Sequence, residues 1–250
     1  MKGLQATGLT DRGKVRNNNE DRFLIIDDEV LHLIAVADGM GGHAAGEIAS
    51  SLAVESVRSY LAEKREDIID RAKDKRPLSS FLKEMLSYAN AVVYSAGEEN
   101  PEYAGMGTTM TLVLSAAGSD WLAHIGDSRA YLLRNNHILS LTEDHTLVAQ
   151  LVKTGEIQAN DAGKHPQRHI LTRALGTDKK ACFDIKQLAL QPKDRLILCT
   201  DGLHGYVDEP EILSIAARHN DREEIVRLLV AKANEKGGMD NITVIVAEKE

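Results

Sequence analysis

Cysteine is scarce in this chain: Cys182 and Cys199 are the whole complement, and both fall inside predicted strands. Two such residues are expected to be buried reduced thiols of a cytosolic protein rather than a disulfide. Basic charge is also short. Lys and Arg number 30 against 38 Asp and Glu, a net charge of −8, whereas a general polyanion binder is basic; nucleic acid is excluded as a partner. No run approaches the ~18 apolar residues that a membrane span needs. The first residues, Met1-Lys2-Gly3-Leu4-Gln5, have no apolar leader core, so a cytoplasmic location is expected. There is no internal repeat and no low-complexity tract. At 43% hydrophobic and 27% charged residues the composition excludes disorder and coiled coil.

What is present is a set of short apolar runs. Strands are expected near 4–10, 22–27, 31–38, 109–115, 120–126, 129–134, 182–190, 195–200 and 242–248. Apolar residues at helical spacing predict helices over 45–63 and 78–97. Pro210 and Glu211 open a shorter helix, and Asp221 caps another through about 236, with Glu224 placed for a capping box. Asn135-Asn136 reads as a hairpin turn. Segment 142–178 is polar, His-rich and weakly periodic, as short helices flanking a loop would be. Strands and helices are segregated along the chain, which predicts an α+β layered fold rather than a doubly wound sheet. With 250 residues and no internal boundary, one domain over 1–250 is expected.

The chemistry lies where the apolar runs stop or start. Asn19-Glu20-Asp21 opens the run 23–26. The run 33–37 ends on Asp38-Gly39, and the run 196–200 ends on Asp201-Gly202. Asp240-Asn241 opens the run 242–246, and Gly126-Asp127 sits at a strand-to-strand turn. Asp-Gly alone is an ordinary turn signal. Carboxylates at several separate strand ends can instead converge on one rim of a sheet. Such an all-oxygen cluster suits hard cations, which makes a two-metal hydrolase a candidate. Gly39-Met40-Gly41-Gly42-His43 lets backbone approach an ion or phosphate closely. Arg16 could grip a phosphate oxygen.

Taken in order, Arg16…Asn19-Glu20-Asp21, Asp38-Gly39-Met40-Gly41-Gly42-His43, Gly107-Thr108-Thr109, Gly126-Asp127-Ser128-Arg129, 171–176, Cys199-Thr200-Asp201-Gly202-Leu203 and Asp240-Asn241-Ile242-Thr243 resemble the motifs of the type 2C metal-dependent protein phosphatases, in their compact bacterial form. The resemblance spans about residues 5–248. It implies a four-layer αββα sandwich of two antiparallel sheets flanked by helices, and a centre of two, or three, Mn²⁺ or Mg²⁺ ions. By motif position, Asp38, Asp201 and Asp240 would hold one ion. Asp38, the Gly39 carbonyl and Glu20 would hold the other, with Asp21 acting directly or through water, and Asp127 would be the main ligand of a third. Arg16 would bind the substrate phosphate, the leaving group would take its proton from a metal-bound water or from His43, the best candidate for the general acid, and 142–178 would be a flap beside the cleft. Neither cysteine lies in a Cys-x5-Arg arrangement, which argues against a cysteine-based phosphatase.

The implied activity is hydrolysis of phosphoserine and phosphothreonine esters in proteins by an activated water, in opposition to a cognate serine/threonine kinase and with no membrane partner. A monomer is expected. Two alternatives differ in role: dedicated dephosphorylation of an anti-sigma antagonist, and a catalytically dead binding module. The first is usually joined to a regulatory extension, for which the chain is expected to have no room. The second would have lost metal carboxylates, and none is missing. His124 is expected to be packed in its strand; His145, His165 and His169 fall in the flap.

Overall fold

The computed structural model of the chain describes residues 3–42, 45–163 and 165–250. One sheet is built from β1 (Leu4–Asp11), β7 (Arg129–Arg134), β8 (His137–Ser140), β10 (Arg195–Cys199) and β11 (Ile242–Lys249), in the order β1-β11-β10-β7-β8. The second is built from β2 (Asp21–Asp27), β3 (Leu31–Met40), β5 (Met110–Ala116), β6 (Ser119–Ile125) and β9 (Asp184–Leu188) in that order, with the short β4 (Gly107–Thr108) paired to the end of β3. All named pairings are antiparallel.

The sheets pack face to face, and the strand sequences show why. Ile34 and Val36 of β3 join Leu196, Leu198, Ile245 and Ala247 of the other sheet in a central core. Leu33, Ala35 and Ala37 point the other way, into a core shared with α1 (Ala45–Lys73) and α2 (Ser79–Glu99). On the opposite side Ile197, Cys199, Val244 and Val246 meet α6 (Glu209–Arg218) and α7 (Arg222–Glu235). Strands buried on both faces must be apolar at every position, which is why they read as continuous runs rather than alternating ones. The result is the expected αββα sandwich.

Several local expectations change. α1 extends to Lys73 because Ile68, Ile69 and Ala72 stay buried in the same core. Asp221 caps α7 through the Glu223 amide, but Glu224 pairs with His219 at 3.0 Å instead of closing a capping box. The full box forms one helix earlier, between Asp208 and Glu211. Asn135 and Asn136 both take positive φ, 51° and 60°, in the β7–β8 turn, as a type I′ hairpin requires. β9 is a short edge strand that starts after Cys182, so that thiol is exposed and only Cys199 is buried. Within 142–178 lie two short helices, α3 (Leu147–Lys153) and α4 (Ala159–Ala162).

Candidate active site

Antiparallel order brings the acid-bearing ends to one edge of the sandwich. The β2–β3 register sets Asp21 directly opposite Asp38. In the other sheet the end of β10 lies beside the starts of β11 and β7, with Cys199 opposite both Val244 and Arg129. Asp201, Asp240 and Asp127 each stand two residues beyond those strand ends. Asp201 is the first residue of α5 (Asp201–His204), a four-residue helix that the sequence did not announce.

A polar frame fixes this rim. Asp21 accepts from Thr200 Oγ1 at 2.8 Å through Oδ2, and Thr200 Oγ1 in turn accepts from the Thr243 amide at 3.0 Å. The Asp38 amide donates to Thr109 Oγ1 at 2.9 Å, and Thr109 Oγ1 shares a 2.7 Å hydrogen bond with Ser128. Asn241 ties the turn before β11 to the loop between β1 and β2: it accepts from the Glu20 amide at 2.8 Å and donates to the Arg12 and Asn18 carbonyls at 2.9 Å. Arg16 Nη2 donates to Asp240 Oδ2 at 2.8 Å. Gly39 and Gly46 lie back to back. A Cβ on Gly39 would stand 2.0 Å from the Gly46 carbonyl oxygen. A Cβ on Gly46 would meet both Glu20 Oε2 and the Gly39 carbonyl oxygen at 2.8 Å, so those two oxygens converge on one point at the start of α1.

The electrostatics follow from crowding. Burial first, then Asp21, Asp201, Asp127 and Asp240, push the Asp38 carboxyl well above the usual carboxylate range. Burial raises Asp21 to about 7 against the opposing hydrogen bonds of Thr243 and Thr200. It raises Asp127 to about 8, with Asp201 and Asp144 adding to the shift. Asp201 and Glu20 are raised by burial as well. Among the described residues no three His, Cys, Asp or Glu side chains close around a single point; the acids form an open rim within mutual reach.

A divalent cation fits this donor set. All the acids present oxygen, the preference of Mg²⁺ and Mn²⁺. The buried Asp21 Oδ1 has no hydrogen-bond partner, and a buried acceptor left unpaired is costly unless something else satisfies it. The convergence of Glu20 and the Gly39 carbonyl supplies a second oxygen pair.

The structure places Arg16, Glu20, Asp21, Asp38, Gly39, Asp127, Asp201 and Asp240 along this one edge. His43 lies outside the described residues. The supports Thr200, Thr109, Ser128 and Asn241 had not been given roles; their one signal was polarity inside or beside apolar runs. His204 was missed altogether: its Nε2–H donates to the Asp127 carbonyl at 2.9 Å, and burial holds its imidazole near 3, neutral.

Segment 142–178 is tied to the rim through histidine. His124 is fully buried and its ring lies 4.7 Å from that of His145. His145 Nδ1 accepts from the Gly126 amide at 3.1 Å and Nε2 stands 3.2 Å from Asp184 Oδ2. His169 Nδ1 is 3.9 Å from Asp201 Oδ2. A cavity of about 720 Å³ runs between the rim and segment 142–178, lined by Asp127, Asp201, Val148, Arg168, His169 and Thr172 among others.

Comparison with known proteins agrees with this geometry. The family described as protein phosphatase 2C matches residues 11–236. The serine/threonine phosphatase stp of Listeria welshimeri is 38% identical over 247 residues, covering 98% of this chain and 96% of that one. The solved structure of the Streptococcus agalactiae serine/threonine phosphatase superposes with a TM-score of 0.90 at 32% identity, covering 99% of this chain and 100% of that one. The catalytic domain of the phosphatase PstP, solved in complex with two manganese ions, superposes with a TM-score of 0.79 at 36% identity over 98% of this chain and 97% of that one.

Proposed function

The chain belongs to the protein phosphatase 2C family and is a metal-dependent serine/threonine phosphoprotein phosphatase using Mn²⁺ or Mg²⁺, and from that premise we propose how its own residues carry the reaction. The observation that carries the assignment is the pairing of Asp21 with Asp38 at an edge where Asp127, Asp201 and Asp240 are near enough to raise the Asp38 carboxyl.

Asp38, Asp201 and Asp240 would hold one ion. Asp38, the Gly39 carbonyl and Glu20 would hold the other, with Asp21 acting directly or through water, and Asp127 would be the main ligand of a third. Two divalent cations, when bound, supply the Lewis acidity that activates the attacking water. Arg16, half exposed and already turned into the rim by its pair with Asp240, grips the non-bridging oxygens of the substrate phosphate and offsets their charge. The leaving serine or threonine oxygen takes its proton from His43. Residues 1–250 act as one catalytic domain, with 142–178 as its flap.

Among the described residues no helix is long and apolar enough to cross a membrane. We place the protein in the cytoplasm as a monomer that reverses a cognate serine/threonine kinase in a signalling pathway. The test strips purified protein with chelator. Hydrolysis of p-nitrophenyl phosphate and of a phosphothreonine peptide should vanish and return with Mn²⁺, and Asp38→Ala should not recover it. Wild-type turnover in Asp38→Ala would show the ligands to be misassigned. His43→Ala should slow the peptide by roughly 10²-fold and p-nitrophenyl phosphate far less, since p-nitrophenolate leaves without a proton; equal losses would remove the general-acid role.

A further inference from the structure

Among the described residues six large apolar side chains are exposed, and three of them adjoin the carboxylate rim. Val15, 55% exposed, precedes Arg16. Met239, 49% exposed, precedes Asp240. Ile170, 46% exposed, follows His169 on the flap side. Single exposed apolar residues are ordinary. Val15 and Met239 are not single. The Lys14 and Val15 amides both donate to the Gly238 carbonyl, at 2.7 and 3.2 Å, so the loop before β2 and the turn before β11 run side by side. The Arg16–Asp240 ion pair and the Asn241 hydrogen bonds to the Arg12 and Asn18 carbonyls fasten the same two segments. Two exposed apolar side chains are thus presented on a braced platform, each next in sequence to one member of the Arg16–Asp240 pair.

We propose that Val15 and Met239 form a specificity ledge that takes an apolar side chain of the residue flanking the phosphorylated serine or threonine. The proposal rests on the phosphatase reading above and names its substrate class more narrowly. Continuity with Arg16 selects the occupant. Once the guanidinium holds the phosphate, the peptide residue next to the ester comes within reach of the loop that carries Arg16, where Val15 and Met239 are the exposed large apolar side chains, beside the exposed polar Lys14 and Asn17. Covering Val15 and Met239 with a leucine or phenylalanine removes apolar area from water on both partners. The braced loops keep the ordering cost low. Ile170, across the rim on the flap, marks a separate position and serves as the comparison.

The experiment uses Mn²⁺-loaded full-length protein and phosphothreonine peptides identical except for Leu, Ala, Asp or Lys immediately before or after the phosphothreonine. Each kcat/KM is divided by the same protein's value for p-nitrophenyl phosphate. Affinity is measured in parallel by fluorescence anisotropy with peptides carrying a non-hydrolysable phosphonate. The expected result is a preference for Leu over Ala, Asp and Lys at one flank, about fivefold for a half-covered side chain, in both readouts. It should fall below twofold in Val15→Ser/Met239→Ser and persist in Ile170→Ser. Equal use of all flanks by wild type, a preference for Asp, or a Leu preference that survives the double substitution would overturn the proposal. A wild-type dimer that becomes monomeric in the double variant, with no flank preference, would assign the ledge to a second copy of the chain and overturn it too. No turnover of any phosphopeptide would remove the phosphatase reading and this one with it, and is distinguishable from flank-blind turnover.

Discussion

Arg16 and Asp240, 224 positions apart in sequence, meet at 2.8 Å on the rim of the carboxylate cluster. The pair couples the residue proposed to bind phosphate to a residue proposed to bind metal. Arg16→Ala should raise KM for phosphopeptide roughly tenfold or more, because a charge-assisted contact to the phosphate is lost. It should leave Mn²⁺ affinity within about threefold, since a carboxylate relieved of its arginine is still a ligand. Arg16→Lys should recover part of the loss, keeping the charge but not the planar fork. Calorimetric titration with Mn²⁺ decides between roles: a tenfold loss of metal affinity in Arg16→Ala would mean that Arg16 acts by positioning Asp240.

Thr200 holds Asp21 from behind. Its hydroxyl donates to Asp21 Oδ2 and accepts from the Thr243 amide, so a near-isosteric Thr200→Val removes both bonds without opening a cavity. The buried Asp21 would then have neither oxygen bonded to Thr200. Stability should fall by about 1–3 kcal/mol. Mn²⁺ affinity should fall roughly 10–100-fold, as when a group that orients a ligand is lost. Thr200→Ser should restore most of both. Unchanged metal affinity in the valine variant would remove Asp21 from the metal centre.

The acids were legible in the sequence because they end apolar runs, and the runs were legible because β3, β10 and β11 are buried on both faces. Ile34 and Val36 face one core while Leu33, Ala35 and Ala37 face another. Other features leave no periodic trace. α5 is four residues long and β4 two, too short for any repeat to register. The Asp-x-x-Glu spacing occurs at Asp208–Glu211 and at Asp221–Glu224, yet only the first closes a capping box, because His219 competes for Glu224. The contact between Arg16 and Asp240 depends on β1 lying beside β11, a pairing between the two ends of the chain. Local pattern carries no information about it.

His145 joins segment 142–178 to the rim, and its loss should be felt in both. Its Nδ1 accepts from the Gly126 amide next to Asp127, its own amide donates to the Gly126 carbonyl at 2.8 Å, and the Thr172 amide donates to its carbonyl at 2.8 Å. Burial lowers the His145 pKa, in keeping with a neutral ring that accepts at Nδ1 and donates toward Asp184 at Nε2. His145→Ala would leave the Gly126 amide unpaired and a void beside His124, at a cost of about 2–4 kcal/mol. Trypsin should then cut at Lys153, Arg168 or Arg173 at temperatures where the core stays folded. Cleavage of the variant only together with global unfolding would show that the flap is held elsewhere.

The crowded acids also set how the chelator-treated protein responds to pH. Asp21 near 7, Asp127 near 8 and Asp38 well above its ordinary value hold protons in the folded state that the unfolded chain releases near pH 4. Their contribution to stability is full below that value and is lost as pH rises through 7 and 8. Buried His124, lowered to about 4, and His204, lowered to about 3, act in the opposite sense. Their effect is complete once pH exceeds the unfolded imidazole value near 6.5. Between about pH 6.5 and 8.5 the acids therefore govern. Tm in chelator should fall across that window, at about 2–4 °C for each kcal/mol lost in a chain of this size. Saturating Mn²⁺ should abolish the slope, because the cations offset the same carboxylates in their ionised form. Asp38→Asn in chelator should raise Tm at pH 8.5 and flatten the profile, by removing the carboxyl that the other four acids repel. A chelated wild type whose Tm rises with pH over the window would show that these carboxylates are not in repulsive contact.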